Sequence, residues 1–287
     1  MIRVVPPTSG LFTMRQSCAV NALCELDRPG EWYLDVAQNR VFYWPPEGFD
    51  PEQCVLSTFN TASSAIRLEA CDALVELNYF RRCVYESGDQ GAIDMWGNPL
   101  YRGNIIRWND FDSIIASDMH RGAAAIRHDD FISGFMVTEN VIRKGSGWGA
   151  FGAVQFNQGT DSYVEGNVIV DWHKAFSGGS AADDRWAEVI TKHSNSKKML
   201  AETDWKSEAW QKKYPMVRDL LNGTDNRNYL VGNLQLGTGD RGGVGRAINL
   251  GNRTGSKDVQ GATLAELQPH LVPWYPIPVE LIGPYSE

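Results

Sequence analysis

The chain has 287 residues, of which 43% are hydrophobic, and a formal net charge of −8 at pH 7. That length and hydrophobic content suffice for a packed core in one large domain or two small ones. The 27 basic residues are scattered rather than clustered, which argues against a nucleic-acid-binding surface. No stretch approaches the roughly 18 apolar residues of a membrane-spanning helix. We therefore expect partners that are neither nucleic acid nor membrane.

The first part of the chain predicts a small β module. Met1–Pro7 lacks a basic start followed by an apolar run, so we expect no signal peptide. The five cysteines lack paired C-x-x-C spacing, which favours free thiols over a zinc site or a disulfide framework. Glu31–Asp35 and Arg40–Trp44 predict a hairpin, which Pro45–Pro46 ends. We assign residues 1–58 to this hairpin or sandwich-like module.

A short phrase then recurs along the chain: an apolar residue, two residues of any kind, and an asparagine. The asparagines are 31, 31, 27 and 66 residues apart, a spacing typical of single coils of a solenoid. The residues around them are β-branched and aromatic and lack helical spacing, so the coils are predicted to consist of strands. The five positions are Asn78, Asn109, Asn140, Asn167 and Asn233.

Each asparagine is predicted to lie at a bend between two strands. Asparagine tolerates left-handed backbone angles, and stacked asparagines can bond from one coil to the next. A further strand precedes each bend, around Ile66, Ile93, Ile126 and Val154. This order predicts a right-handed parallel β-helix over residues 59–287, which we favour over an antiparallel sandwich. Helix formers near 181–222 predict a helical insertion that accounts for the 66-residue gap.

Two motifs resemble parts of known carbohydrate-active enzymes. Leu26–Asp35 reads LDRPGEWYLD, and Tyr101–Phe111 reads YRGNIIRWNDF. Both resemble modules of secreted right-handed β-helix proteins in glycoside hydrolase families 120 and 141, and the likeness spans most of residues 20–285. It implies action on a polysaccharide or oligosaccharide and a secreted or periplasmic location. The families usually have more coils than the fifteen residues between Glu47 and Ser63 allow, so the resemblance implies a shortened member.

Three aspartates are candidates for catalysis. Asp89 precedes the upstream strand of one coil, and Asp129 and Asp130 follow the same strand one coil later. Adjacent coils lie about 4.8 Å apart, so these carboxylates are predicted to be near each other on one outer face. A protonated and an ionised carboxyl side by side suit glycoside cleavage. The resemblance implies that Asp89 and Asp130 are the catalytic pair, and Asp129 is the alternative candidate. Turn aspartates that bind their own backbone are the alternative.

Other residues near this face are candidates for binding a sugar. Basic and polar side chains can orient hydroxyl groups, and indole rings can stack on sugar rings. A purely structural role is the alternative for each of them. The candidates are Arg127, His128, Trp96, Trp108, Trp148 and Glu86.

The sequence is also compatible with two other functions. A β-helix polysaccharide lyase would use a basic residue such as Arg143 or Lys144, often with calcium. The sequence has no dense carboxylate cluster for calcium, so we assign no metal or cofactor. The second alternative is a non-catalytic glycan-binding protein or an inactive remnant. Because an open solenoid end exposes strand edges, we expect capping by the N-terminal module or by a second subunit.

Overall fold

The computed structural model describes residues 29, 32–35, 40–45, 47–48, 64–85, 87–116, 122–145, 151–179, 186–221, 228–238, 247–251, 253–255 and 281–282. The chain divides into two compact units, Met1–Thr58 and Phe59–Glu287. In the first unit, strands β1 (Trp32–Asp35) and β2 (Arg40–Tyr43) pair antiparallel, which confirms the predicted hairpin.

The second unit is a parallel β-helix made of three sheets. Sheet A contains β3 (Ile66–Arg67), β6 (Gln90–Trp96), β9 (Ala123–Asp129), β12 (Val154–Asn157) and β15 (Phe176–Gly179). Sheet B contains β4 (Leu74–Glu76), β7 (Ile105–Arg107), β10 (Met136–Thr138), β13 (Tyr163–Glu165), β16 (Asn228–Val231) and β18 (Ala247–Leu250). Sheet C contains β5 (Tyr79–Arg81), β8 (Asp110–Asp112), β11 (Val141–Gly145), β14 (Val168–Trp172), β17 (Leu234–Leu236) and β19 (Arg253–Gly255). Neighbouring strands of each sheet run parallel, which confirms the predicted β-helix.

The recurring asparagines form a hydrogen-bonded ladder at the turn between sheets B and C. Asn109 Nδ2 donates to Asn140 Oδ1 at 3.0 Å, and Asn140 Nδ2 donates to Asn167 Oδ1 at 2.9 Å. Asn78 and Asn233 extend the ladder at its two ends. The predicted stacking of asparagines is therefore confirmed.

The backbone angles at this turn differ from the sequence-based expectation. Positive φ values occur at the residue before each asparagine, namely Leu77, Trp108, Glu139, Gly166 and Gly232, and not at the asparagines themselves. The prediction that the asparagines adopt left-handed backbone angles is therefore wrong. Asparagine contributes through its side-chain amide, which has both a donor and an acceptor with which to join adjacent coils.

Rows of aligned side chains set the register of the coils. On sheet A, Ile93, Ile126 and Val154 align in the core, and the partly buried Ile66 aligns with them and packs against it. The next residue along each strand faces the opposite side, because side chains alternate along a strand. These residues form what we call the outer row of sheet A, which consists of Arg67, Asp94, Arg127, Gln155 and Ser177. Side chains about thirty positions apart in sequence thus share one surface.

Helices replace the usual short connection between β15 and β16, which confirms the predicted insertion. They are α1 (Trp186–Lys192), α2 (Ser194–Glu202), α3 (Glu208–Lys213) and a 3-10 helix at Pro215–Asp219. Apolar side chains of the insertion, including Ile190 and Trp205, pack with Leu100 and Phe131 of the β-helix. Among the residues described, no helix combines the length and apolar character needed to cross a membrane.

Candidate functional site

Arg127 stands at the centre of a charged cluster on the outer face of sheet A. Its Nη1 lies 3.3 Å from Asp94 Oδ1, and its Nη2 lies 3.0 Å from Asp89 Oδ1 and 2.5 Å from Asp129 Oδ2. Arg67 Nη1 approaches the other oxygen of Asp94 at 3.0 Å. One guanidinium therefore binds carboxylates from two successive coils, because the parallel register aligns Asp94 with Arg127.

Asp89 is the most exposed carboxylate of the cluster. It lies in the turn before β6 with φ 59, its backbone N–H donates to Gly122 O, and its side chain is 49% exposed. Because Asp89 Oδ1 and Asp129 Oδ2 contact the same nitrogen of Arg127 at 3.0 and 2.5 Å, these two oxygens lie at most about 5.5 Å apart. The predicted proximity of acidic groups from adjacent coils thus occurs between Asp89 and Asp129.

Asp130 lies at the other end of the same network. Trp96 Nε1 donates to its Oδ2 at 2.5 Å, and Asn157 Nδ2 donates to its Oδ1 at 3.2 Å. The same Asn157 nitrogen lies 2.8 Å from Asp129 Oδ1, so one amide joins the two neighbouring aspartates. The Asp130 side chain is 27% exposed, whereas Asp129 is buried. The three predicted catalytic aspartates are therefore members of one network with two accessible ends.

Burial dominates the electrostatics of the inner carboxyl groups. It raises the pKa of Asp94 and of Asp129, and the Arg127 guanidinium opposes that rise at both residues. The nearby charges of Asp130 and Asp89 also raise the pKa of Asp129. The buried carboxyl groups of the cluster are thus harder to ionise than an ordinary aspartate, whereas Asp89 and Asp130 lie at its exposed rim.

Two of the proposed sugar-binding residues lie away from this cluster. His128 is fully buried in the core against the rings of Phe135 and Phe156, and burial lowers its pKa to about 3. It faces the interior and therefore lies out of reach of a ligand on the outer face. Trp108 lies at the turn between sheets B and C, where its Nε1 donates to Glu139 Oε2 at 2.6 Å.

The remaining candidates divide in a similar way. Trp96 is 36% exposed and contacts Asp130, so it belongs to the cluster together with Arg127. Trp148 and Glu86 lie outside the described residues. Arg143, the base considered for a lyase, is buried on sheet C and forms ion pairs with Asp110 and Asp112. In the part of the chain that the structure describes, no three His, Cys, Asp or Glu side chains could hold a metal ion.

The structure adds Asp94, Asn157 and His193 to the cluster, none of which was identified from the sequence. Asp94 aligns with Arg127 in the strand register, and Asn157 follows Phe156, which aligns with His128. Counting coil positions outward from Arg127 would have found Asp94. His193 comes from the insertion, and its Nε2 lies 3.5 Å from Asp130 Oδ2. Because it lies outside the repeat, no spacing in the sequence points to it.

No family model, curated protein or solved structure matches this chain.

Proposed function

We propose that this protein is a glycoside hydrolase that acts on a polysaccharide or oligosaccharide at the outer face of sheet A. The observation that carries the proposal is the network that joins Asp89, Asp129 and Asp130 through Arg127 and Asn157. Glycoside cleavage requires two carboxyl groups on either side of the scissile bond, one to protonate the leaving oxygen and one to attack or to activate water.

Exposure and hydrogen bonding favour Asp89 and Asp130 as the reacting pair. Their side chains are 49% and 27% exposed, so both can reach a bound sugar. Asp129 is buried, and its two oxygens contact Arg127 and Asn157. Asp129 therefore serves as the anchor that orients these two side chains between the reacting carboxylates.

The charge of the site favours hydrolysis of a neutral glycan over elimination from a uronate. Arg127 contacts Asp89, Asp94 and Asp129, so its positive charge is already compensated. A uronate carboxylate placed here would meet like charges, which disfavours its binding. The alternative base Arg143 lies on sheet C and has carboxylate partners of its own.

Isosteric replacement of the two exposed aspartates tests the proposal. Each of Asp89→Asn and Asp130→Asn should lower turnover of a responsive neutral glycan by on the order of a hundredfold or more, because each removes a reacting carboxyl group. Asp171→Asn is the matched control, since Asp171 is a partly exposed aspartate on sheet C that also has positive φ. Its turnover should equal that of the wild type.

The substrate screen should pair neutral with uronate-bearing glycans and record both reducing ends and the ultraviolet absorbance of unsaturated products. Thermal unfolding of each variant would show that the fold is retained. Wild-type turnover in both aspartate variants, or formation of unsaturated products, would contradict the proposal. Glycan binding without turnover, measured by calorimetry, would instead indicate a binding protein.

A further inference from the structure

We propose that the helical insertion completes this site by supplying His193 as a positioning residue for Asp130. The inference rests on the proposed function, because it concerns one of the two proposed reacting carboxylates. His193 precedes α2, and its Nε2 lies 3.5 Å from Asp130 Oδ2. Its ring packs edge-on against Trp96 and Phe131, with centroid distances of 5.8 and 5.3 Å.

The insertion contacts Gly97 and Phe131, the residues that immediately follow Trp96 and Asp130. Ser196 Oγ donates to the carbonyl oxygen of Gly97 at 3.2 Å. Phe131 is buried in the apolar cluster of the insertion. Asp130 and Phe131 both have positive φ, of 42 and 72. Two successive non-glycine residues in this region cost free energy and persist only where their surroundings enforce them, and such strain concentrates at functional sites.

The hydrogen bonds of Ser196 determine which ring nitrogen of a neutral His193 carries the hydrogen. The carbonyl of Gly97 can only accept, so the hydroxyl proton of Ser196 points to it. Ser196 Oγ therefore accepts from His193 Nδ1, which lies 3.4 Å away. A neutral imidazole with its hydrogen on Nδ1 would direct a lone pair from Nε2 toward the Asp130 carboxylate. Attraction between the two groups thus requires a proton between Nε2 and Oδ2.

The other contacts of Asp130 also come from hydrogen-bond donors. Trp96 Nε1 donates to its Oδ2 and Asn157 Nδ2 donates to its Oδ1. A proton on His193 Nε2 would add a third donor to these two, and the three together would hold the side chain of Asp130 in place. Among the residues that the structure describes, the charged groups close to this pair include Asp129, which shares Asn157 with Asp130, and Arg67, whose guanidinium lies 6.0 Å from the Trp96 ring.

The order Ser196, His193, Asp130 also resembles a nucleophilic triad, but the geometry excludes that role. Ser196 is fully buried, and its hydroxyl proton is engaged by the backbone of Gly97. A nucleophile must be accessible to the substrate and must give its proton to the histidine. Ser196 meets neither condition, so its function is to orient the ring of His193.

The indole N–H of Trp96 offers a direct readout that does not depend on activity. It bonds to the same Asp130 oxygen that faces His193, so its NMR signal, assigned with Trp96→Phe, reports the state of that carboxylate. His193→Gln should shift the signal. Lys213→Met is the matched control, because it removes a contact between the same insertion and Asp72 and should leave the signal unchanged. An unmoved signal in His193→Gln, or equal shifts in both variants, would overturn the inference.

Kinetics on a responsive glycan provide the second test. His193→Gln should lower kcat on the order of tenfold to a hundredfold with KM unchanged, since hydrogen bonds to charged groups have that worth. In the Asp130→Asn background the same change should have no further effect. If both Asp89→Asn and Asp130→Asn keep wild-type turnover, the proposed function fails. If they abolish turnover while His193→Gln retains wild-type kcat, only the role of His193 is refuted.

Discussion

Replacing Asn140 by alanine should strongly destabilise the β-helix. Asn140 is fully buried in the middle of the asparagine ladder. Its Oδ1 accepts from the backbone N–H and from the side-chain amide of Asn109, both at 3.0 Å. Its Nδ2 donates to the carbonyl oxygen of Ile106 and to Asn167 Oδ1, both at 2.9 Å. Alanine would retain none of these four bonds.

The expected loss follows from the groups left without partners. Asn140→Ala leaves the buried backbone N–H of Asn109 and the carbonyl of Ile106 without this side chain, and each unsatisfied buried group costs about 1–3 kcal/mol. We therefore expect a loss of about 3–5 kcal/mol in the free energy of unfolding, against a typical total of about 5–15 kcal/mol.

Urea unfolding of the wild type and of Asn140→Ala, followed by circular dichroism, measures this loss. Asn78→Ala is the matched control, because it makes the same change at the exposed end of the ladder. Among the described residues, the side chain of Asn78 donates to Glu76 O and to Asn109 Oδ1 and accepts from none. We expect about 1 kcal/mol for the control. Equal losses for the two variants, or a loss below about 1 kcal/mol for Asn140→Ala, would refute the reasoning.

Two further substitutions test the packing of the coils. Neither ring nitrogen of His128 has a hydrogen-bond partner among the residues described, and burial lowers its pKa from 6.5 to about 3. The unfolded chain therefore protonates His128 at a higher pH than the folded protein does. The free energy of unfolding of the wild type should fall relative to that of His128→Leu by about 1.4 kcal/mol per pH unit as the pH drops from 6.5 toward 3. Urea unfolding at several pH values measures this difference, and parallel stability curves for the two proteins would contradict the prediction. Gly159→Ala should lower the free energy of unfolding, measured by thermal unfolding, by about 3 kcal/mol, because the new Cβ would lie 1.8 Å from Ile132 O. In the control Gly179→Ala the nearest atom is the amide oxygen of Asn157 at 3.3 Å, which can move, so the loss should be about 1 kcal/mol or less. Similar losses in the two variants would argue against a steric cause.

The β-helix could be predicted because each coil leaves a local trace in the sequence. The buried asparagine and its flanking strand formers recur wherever a coil turns from sheet B to sheet C, as at Asn109 and Asn140. Chain direction then follows, because consecutive copies of one motif can stack only in parallel. The backbone angle at the turn did not follow, since positive φ lies on the preceding residue, whose identity varies from Leu77 to Gly166.

The candidate site was less accessible to sequence reasoning. Asp89 and Asp130 were identified because they flank one strand in successive coils, but their partners depend on side-chain reach across the register, as for Arg127 with Asp94. Strand alternation, applied consistently, would have directed His128 inward beside the outward Arg127. His193 was out of reach, because the folding of an insertion is governed by its own core and not by the coil period.

The helical insertion between β15 and β16 shows how a β-helix can change the chemistry of its surface without changing the alignment of its coils. The strands on either side keep their alignment with the previous coil, Phe176 with Val154 and Leu230 with Val164, although dozens of residues intervene. Loop length at this corner is thus free to vary while the wall that bears the aspartates stays constant. Exchanging the helical insertion for another segment would therefore replace His193 and its neighbours. The aspartates on the outer face of sheet A would stay in place, and only the groups that contact them would change.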